Sequence, residues 1–302
     1  MTDIIDKINE LKQKRNAIIL AHYYQPIEIQ QIADIVGDSL ELARKSKNVD
    51  ADVLVFCGVS FMGESAAILC PDKKVLLPAP DAGCYMADRI TPNDIKALKE
   101  KHPGSAVICY INSTAETKAE CDICCTSSNA VKVAKSVKED SIIFVPDRNL
   151  GRYVSKIVTD KHFFFHPNGC CPIHDDLQLE NVLASKGKYP NAKVLVHPEC
   201  SEDICDIADF VGSTAQIIAY CVESECKEFV ICTELGVTER MALQMPDKTF
   251  IIPDRKQLYC DRMKAISLEM VLETLKKMSG EVVIDDKLRK AALKPIERML
   301  AI

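Results

Sequence analysis

The sequence predicts an α/β protein built from triplicated three-layer αβα units, with parallel sheets arranged around a pseudo-threefold axis. Three observations carry this. Strand-like segments recur on one period. The segments are short continuous apolar runs, as found where helices cover both faces of a parallel sheet. Stretches with helical spacing separate them. The period is clearest in residues 17–22, 106–110 and 192–197, whose polar last residues His22, Tyr110 and His197 stand 88 and 87 residues apart. Residues 51–56, 141–145 and 228–232 form a second set, and residues 74–78, 161–167 and 248–253 a third. Three segment types sharing one period mark an internal triplication.

Taken in order, residues 1–86, 87–173 and 174–265 are the three expected units, each reading strand, helix, strand, helix, strand. The chain opens on an amphipathic helical stretch. Leu40, Leu42 and Ala43, then Val131, Val133, Ala134 and Val137, keep helical spacing between strands, which implies right-handed crossovers. Residues 266–302 fall outside the period; Leu268, Met270, Val271, Leu272 and Leu275 predict a helix in a C-terminal tail that packs back on the first unit.

Composition narrows the function classes. At 302 residues, 47% hydrophobic and 27% charged, the chain has ample material for a buried core. No apolar run approaches the ~18–20 residues of a spanning helix, so no membrane is expected. A net charge of -6 argues against nucleic acid as a partner. The first residues lack the basic start and apolar stretch of a signal peptide, and the expected location is cytoplasmic. Fifteen cysteines, an odd number, fit reduced thiols rather than a disulfide framework. Cys57, Cys109 and Cys232 sit within apolar strands as small core residues. The Cys121-x-x-Cys124-Cys125 run lacks a second pair, and its role is left open.

Parallel sheets bind ligands beyond the carboxyl ends of their strands. After the first strand of each copy come His22-Tyr23-Tyr24, Tyr110-Ile111-Asn112 and His197-Pro198-Glu199. The following helices are expected to begin at Gly37-Asp38-Ser39, Thr126-Ser127-Ser128 and Gly212-Ser213-Thr214, where hydroxyls beside free N–H groups make anion sites. After the third strands come Cys84, Cys171 and Cys260, 87 and 89 residues apart and alone among the cysteines in recurring at one place. Threefold symmetry brings them together. Three thiolates suit zinc, and they are equally three quarters of a [4Fe–4S] ligand set. Cys170 is the rival of its neighbour Cys171.

At these residues the sequence resembles the quinolinate synthetase A family. The resemblance covers nearly the whole chain and rests on Ala21-His-Tyr-Tyr24, Gly37-Asp-Ser39, Gly83-Cys84, Tyr110-Ile-Asn112, Thr126-Ser-Ser-Asn129, Gly169-Cys-Cys-Pro-Ile-His174, His197-Pro-Glu-Cys200, Gly212-Ser-Thr214 and Cys260-Asp-Arg-Met-Lys264. It implies a [4Fe–4S] cluster with three cysteine ligands, Cys84, Cys171 and Cys260, the cysteine before Pro-x-His being preferred over Cys170. Its fourth iron would be a Lewis acid. It also implies condensation of iminoaspartate with dihydroxyacetone phosphate to quinolinate, phosphate and two waters, with an L-aspartate oxidase or aspartate dehydrogenase supplying the imine. His22, Ser39, Tyr110, Asn112, Ser127, His197, Glu199, Ser213 and Thr214 are then expected at the substrate. Tyr24 and Glu199 are the acid/base candidates, with His197 as electrostatic support. Some relatives carry further cysteines ahead of the last ligand; Asp254 and Gln257 stand there here, so that redox switch is missing. The rival from another class is an iron–sulfur redox or oxygen sensor.

Overall fold

In the computed structural model, which describes residues 2–302, the triplication becomes three four-stranded parallel sheets. The first contains β1 (Ala17–His22), β2 (Ile35–Gly37), β3 (Val53–Cys57) and β4 (Lys74–Leu76), in the order β2-β1-β3-β4. The second repeats that order with β5 (Ala106–Tyr110), β6 (Ile123–Cys125), β7 (Ser141–Val145) and β8 (His162–Phe165). The third does so with β9 (Lys193–Val196), β10 (Phe210–Val211), β11 (Glu228–Cys232) and β12 (Thr249–Ile251). The architecture is the expected α/β one with one addition: each unit has four strands rather than three. The additional strands β2, β6 and β10 are two or three residues long, too short to show any apolar pattern. They pair with the carboxyl ends of β1, β5 and β9, where His22 aligns with Gly37 and Tyr110 with Cys125. Each therefore delivers the next loop to the same sheet edge as the polar strand ends.

The central strands are almost wholly buried because helices cover both faces. Phe144 on β7 has no exposure, and truncating such a side chain to Ala costs about 3–5 kcal/mol. One continuous core runs through the first and second sheets, whereas the third sheet keeps a separate cluster on each face. The C-terminal tail belongs to the larger core. Its helix Leu268–Lys277 packs on the N-terminal helix Thr2–Lys14. Beyond it, Leu77 donates to the carbonyl of Gly280 at 2.8 Å and Val282 to that of Val75 at 2.9 Å. Gly280 has φ +76°, and a Cβ there would lie 2.2 Å from the Leu77 carbonyl oxygen, so no other residue fits. The last helix, Asp286–Leu300, lies mainly against β6 and the helix Ala115–Ala119 of the second unit. No helix among the described residues is long and apolar enough to cross a membrane.

Candidate active site

The three sheets point their carboxyl ends at one cavity, lined from all three units. Equivalent loops of the three units meet directly: the Ser128 hydroxyl donates to Asp38 at 2.8 Å and lies 2.9 Å from the Ser213 hydroxyl, from which it can accept. Asp38 and Ser213 are also N-caps with complete capping boxes, for helices Ser39–Asn48 and Thr214–Glu223. The junction thus fixes two helix starts and leaves Ser39 and Thr214, one residue further on, on the cavity wall. Ser213 itself is fully buried, committed to cap and junction, and outside the lining. In the second unit the expected helix start is a turn instead. Asn129 Oδ1 accepts from the Thr126 amide at 2.8 Å, the helix runs Ala130–Ser136, and Ser127 faces the cavity from the turn.

His22 and His197 hold matching positions. Each Nδ1 accepts the N–H two residues on, from Tyr24 at 3.2 Å and Glu199 at 3.3 Å. In the neutral ring this places the remaining proton on Nε2, as a donor. Burial drives both imidazoles down to about 3, so both are neutral at ordinary pH. Asn112 also lines the cavity, and its amide oxygen has no partner among the described residues. These are the features of a site waiting for a polar ligand.

A chain of hydrogen bonds crosses the cavity wall. Tyr110 donates to Glu199 Oε1 at 2.6 Å, and His174 Nδ1 lies 2.9 Å from Glu199 Oε2. On its other side His174 Nε2 is 3.0 Å from the Thr233 hydroxyl, which is 3.0 Å from the Tyr24 hydroxyl; Tyr24 in turn lies 3.1 Å from Thr214. With a proton on Nδ1 toward Glu199, His174 accepts from Thr233 at Nε2, and Tyr24 donates to Thr233. Burial opposes ionisation of Glu199, but the hydrogen bonds it accepts from His174 and the Tyr110 hydroxyl favour the carboxylate, and the carboxyl lies below its usual range. Tyr24 is pushed well above the ordinary phenol range, by burial first and the Glu199 charge second.

Cys84, Cys171 and Cys260 all line this cavity, one from each unit. A glycine shapes the approach of the second. A Cβ at Gly169 would lie 1.7 Å from the Pro146 carbonyl oxygen, so the loop carrying Cys171 passes closer to the backbone than any side chain permits. Cys170 is turned away from the cavity, its sulfur 3.8 Å from the Arg89 guanidinium. Two of the cavity sulfurs have donors aimed at them, the amides of Met86 and Ala87 at Cys84 and the amide of Met263 at Cys260, while Cys171 lies 3.3 Å from the His174 Nδ1 whose proton goes to Glu199. Burial holds the Cys84 and Cys260 thiols up at about 11 and about 12; a metal deprotonates such thiols outright. Cys171, His174 and Glu199 also bring donor atoms within 4.8 Å of one another, a set able to hold a metal ion.

Three site residues carry no role in the sequence reading. Besides Thr233, Glu234 is buried and paired with Lys264 at 3.1 Å, and it accepts from the Cys260 amide at 3.4 Å. Burial raises Glu234 to about 7 against the pull of Lys264, whose ammonium also donates to the Tyr24 carbonyl at 2.5 Å. Thr233 and Glu234 follow β11, the second strand type of its unit. Extending the strand-end rule from the first and third strand types to the second would have found them. The Cys121–Cys124 run is buried at β6, away from the cavity.

Fold and site together define an enzyme of triplicated αβα build, with a pocket that presents imidazole, hydroxyl and amide groups and donors for a metal. Against known proteins, the family model described as NadA, Quinolinate synthetase A protein, matches residues 6–301. The chain belongs to that family. It is 50% identical over 299 residues to the quinolinate synthase of Dehalococcoides mccartyi strain CBDB1, covering 99% of this chain and 98% of that one. It is 46% identical over 297 residues to the quinolinate synthase of Clostridioides difficile strain 630, covering 98% and 97%. It is 47% identical over 299 residues to quinolinate synthase 2 of Methanosarcina acetivorans, covering 99% and 96%.

Proposed function

We propose that this enzyme condenses iminoaspartate with dihydroxyacetone phosphate, releasing quinolinate, phosphate and two waters, with no net oxidation. The observation that carries the reading is the convergence of two matching imidazole donors, three hydroxyls and one hydrogen-bonded Tyr24–Glu199 chain on a single cavity. The His22 and His197 Nε2–H groups, with Ser39, Ser127 and Thr214, bind the carboxylates and the phosphate as neutral donors. The unpartnered Asn112 oxygen accepts from the imine or a substrate hydroxyl. Ser213 acts indirectly, by fixing the helix start that presents Thr214.

Ring closure needs protons to leave carbon and reach departing oxygens. Tyr24 is the proton carrier at the substrate. Thr233 and His174 connect it to Glu199, whose charge stabilises an imidazolium while a proton is in transit. Tyr110 fixes the second carboxylate oxygen, so Glu199 stays oriented throughout.

The donor set fits a [4Fe–4S] cluster on Cys84, Cys171 and Cys260: three thiols from three units, two of them already accepting amide hydrogen bonds that favour the thiolate. When bound, such a cluster supplies a Lewis-acidic iron without a protein ligand. One zinc on three thiolates would draw the sulfurs to about 3.8 Å apart at tetrahedral angles. Among the described residues, the close set is instead Cys171, His174 and Glu199. That set favours a second reading, a single ion in place of the cluster. Metal analysis of anaerobically purified protein, run beside an assay for quinolinate, separates the two: iron and sulfide near four per chain fit the cluster, and zinc without sulfide defeats it. A chain that holds the cluster yet forms no quinolinate from the two substrates would leave the sensor reading standing.

A further inference from the structure

Arg262 is the one lysine or arginine among the residues lining the cavity. It is exposed at the mouth, two residues after Cys260, and makes no ion pair with any described carboxylate. It is nevertheless held in place. Its guanidinium lies 5.0 Å from the centroid of the Tyr85 ring, a cation–π contact, and the Tyr85 hydroxyl donates to Asp261 at 3.0 Å. Tyr85 follows Cys84, so this contact joins the rims contributed by the first and third units across the opening. Behind it the cavity offers anions no unpaired cation. The imidazoles of His22 and His197 are neutral, Lys264 is bound to Glu234, and Glu199 is a carboxylate. The whole chain carries a net charge of -6. Among the described residues of the lining, Arg262 is therefore the one full positive charge that an entering anion meets without a carboxylate partner.

We propose that Arg262, oriented over the mouth by Tyr85 and Asp261, is the entrance cation that draws the phosphate dianion of the triose substrate into the cavity and sets its rate of capture. A rim charge acts chiefly on association and does so in a salt-dependent way. The interior hydroxyls and imidazoles take over once the ligand has passed. Lysine at this position keeps the charge but not the planar stacking on Tyr85, so it restores capture incompletely.

The proposal rests on the condensation reading, and its test distinguishes the two. Steady-state kinetics with dihydroxyacetone phosphate as varied substrate are measured from low to high ionic strength for the cluster-loaded wild type, R262Q, R262K and Y85L. In R262Q, kcat/KM at low salt is expected to fall about three- to tenfold with kcat little changed, and its salt dependence to flatten. R262K should recover most of that loss. Y85L, which frees the guanidinium without removing it, should fall between. Quinolinate formation by the wild type with unaltered kcat/KM and salt slope in R262Q would overturn the entrance role alone. A loss in R262Q confined to kcat, and insensitive to salt, would also overturn it. No quinolinate from the wild type would instead remove the reading on which it rests.

Discussion

The ends of β1 and β9 share the same backbone device and differ in one functional group. In both, an imidazole accepts the amide two residues downstream and is buried in its neutral form. The residue donating that amide is Tyr24 at one end and Glu199 at the other, and the two side chains are joined through Thr233 and His174. On the proposed reading, symmetry is kept where the task is to hold a ligand and broken where a proton has to travel in one direction. The third equivalent, at β5, breaks it again: Tyr110 occupies the histidine position and braces Glu199 instead of capping a turn.

The largest expected effects concern what all three units must share. Replacing Cys84, Cys171 or Cys260 singly by Ala should abolish iron binding, while changing Cys121, Cys124 or Cys170 should leave iron content near normal. Retained iron in Cys171→Ala together with its loss in Cys170→Ala would show that the wrong neighbour faces the cluster. Next come the two unlike groups. Glu199→Gln and Tyr24→Phe should each lower turnover by about 10²–10⁴-fold with iron content intact. Because one hydrogen-bonded chain links them, the double variant should lose much less than the product of the two. A fully multiplicative loss would mean that the two arms act independently. Among the hydroxyls, Ser39→Ala and Thr214→Val should weaken substrate binding about ten- to a hundredfold, and unchanged affinity in both would remove the anion-site role.

The two imidazoles also make a stability prediction. Their folded values lie near 3 against the ordinary 6.5, so between those limits the unfolded chain binds protons that the folded chain does not. Stability is full above pH 6.5 and declines as pH falls toward 3, by about 2 kcal/mol per imidazole between pH 7 and 5. The buried Glu234, raised to about 7, acts with the opposite sign, ionising in the unfolded chain first. Urea unfolding of wild type and His22→Gln at both pH values should show a shallower pH dependence in the variant. Equal slopes would contradict a buried, neutral His22.

Much of this was legible because repetition amplifies weak signals. A lone histidine after an apolar run says little, but His22 and His197 at matching places identify a strand end, and the same holds for three cysteines on one period. What stayed hidden lacks a repeat or a pattern. β2, β6 and β10 are too short for alternation to register. Thr233 matters only through the distances that place it between two other side chains. The meeting of Asp38, Ser128 and Ser213 is threefold in space, yet one of its members is a different residue type and the spacing is uneven. No inspection of one N-cap shows that Ser213 is buried while Thr214 beside it is available.

The three cavity cysteines stand at positions 84, 171 and 260 of 302, one per unit. A ribosome must therefore deliver most of the chain before the last of them emerges, and the third sheet must dock before all three can face one another. A polypeptide that ends before residue 260 carries one or two of these thiols but not the set. On the cluster reading, arrangement by triplication would double as a completeness check: a group held by Cys84, Cys171 and Cys260 together could be loaded only in a molecule translated past its third repeat and closed upon itself.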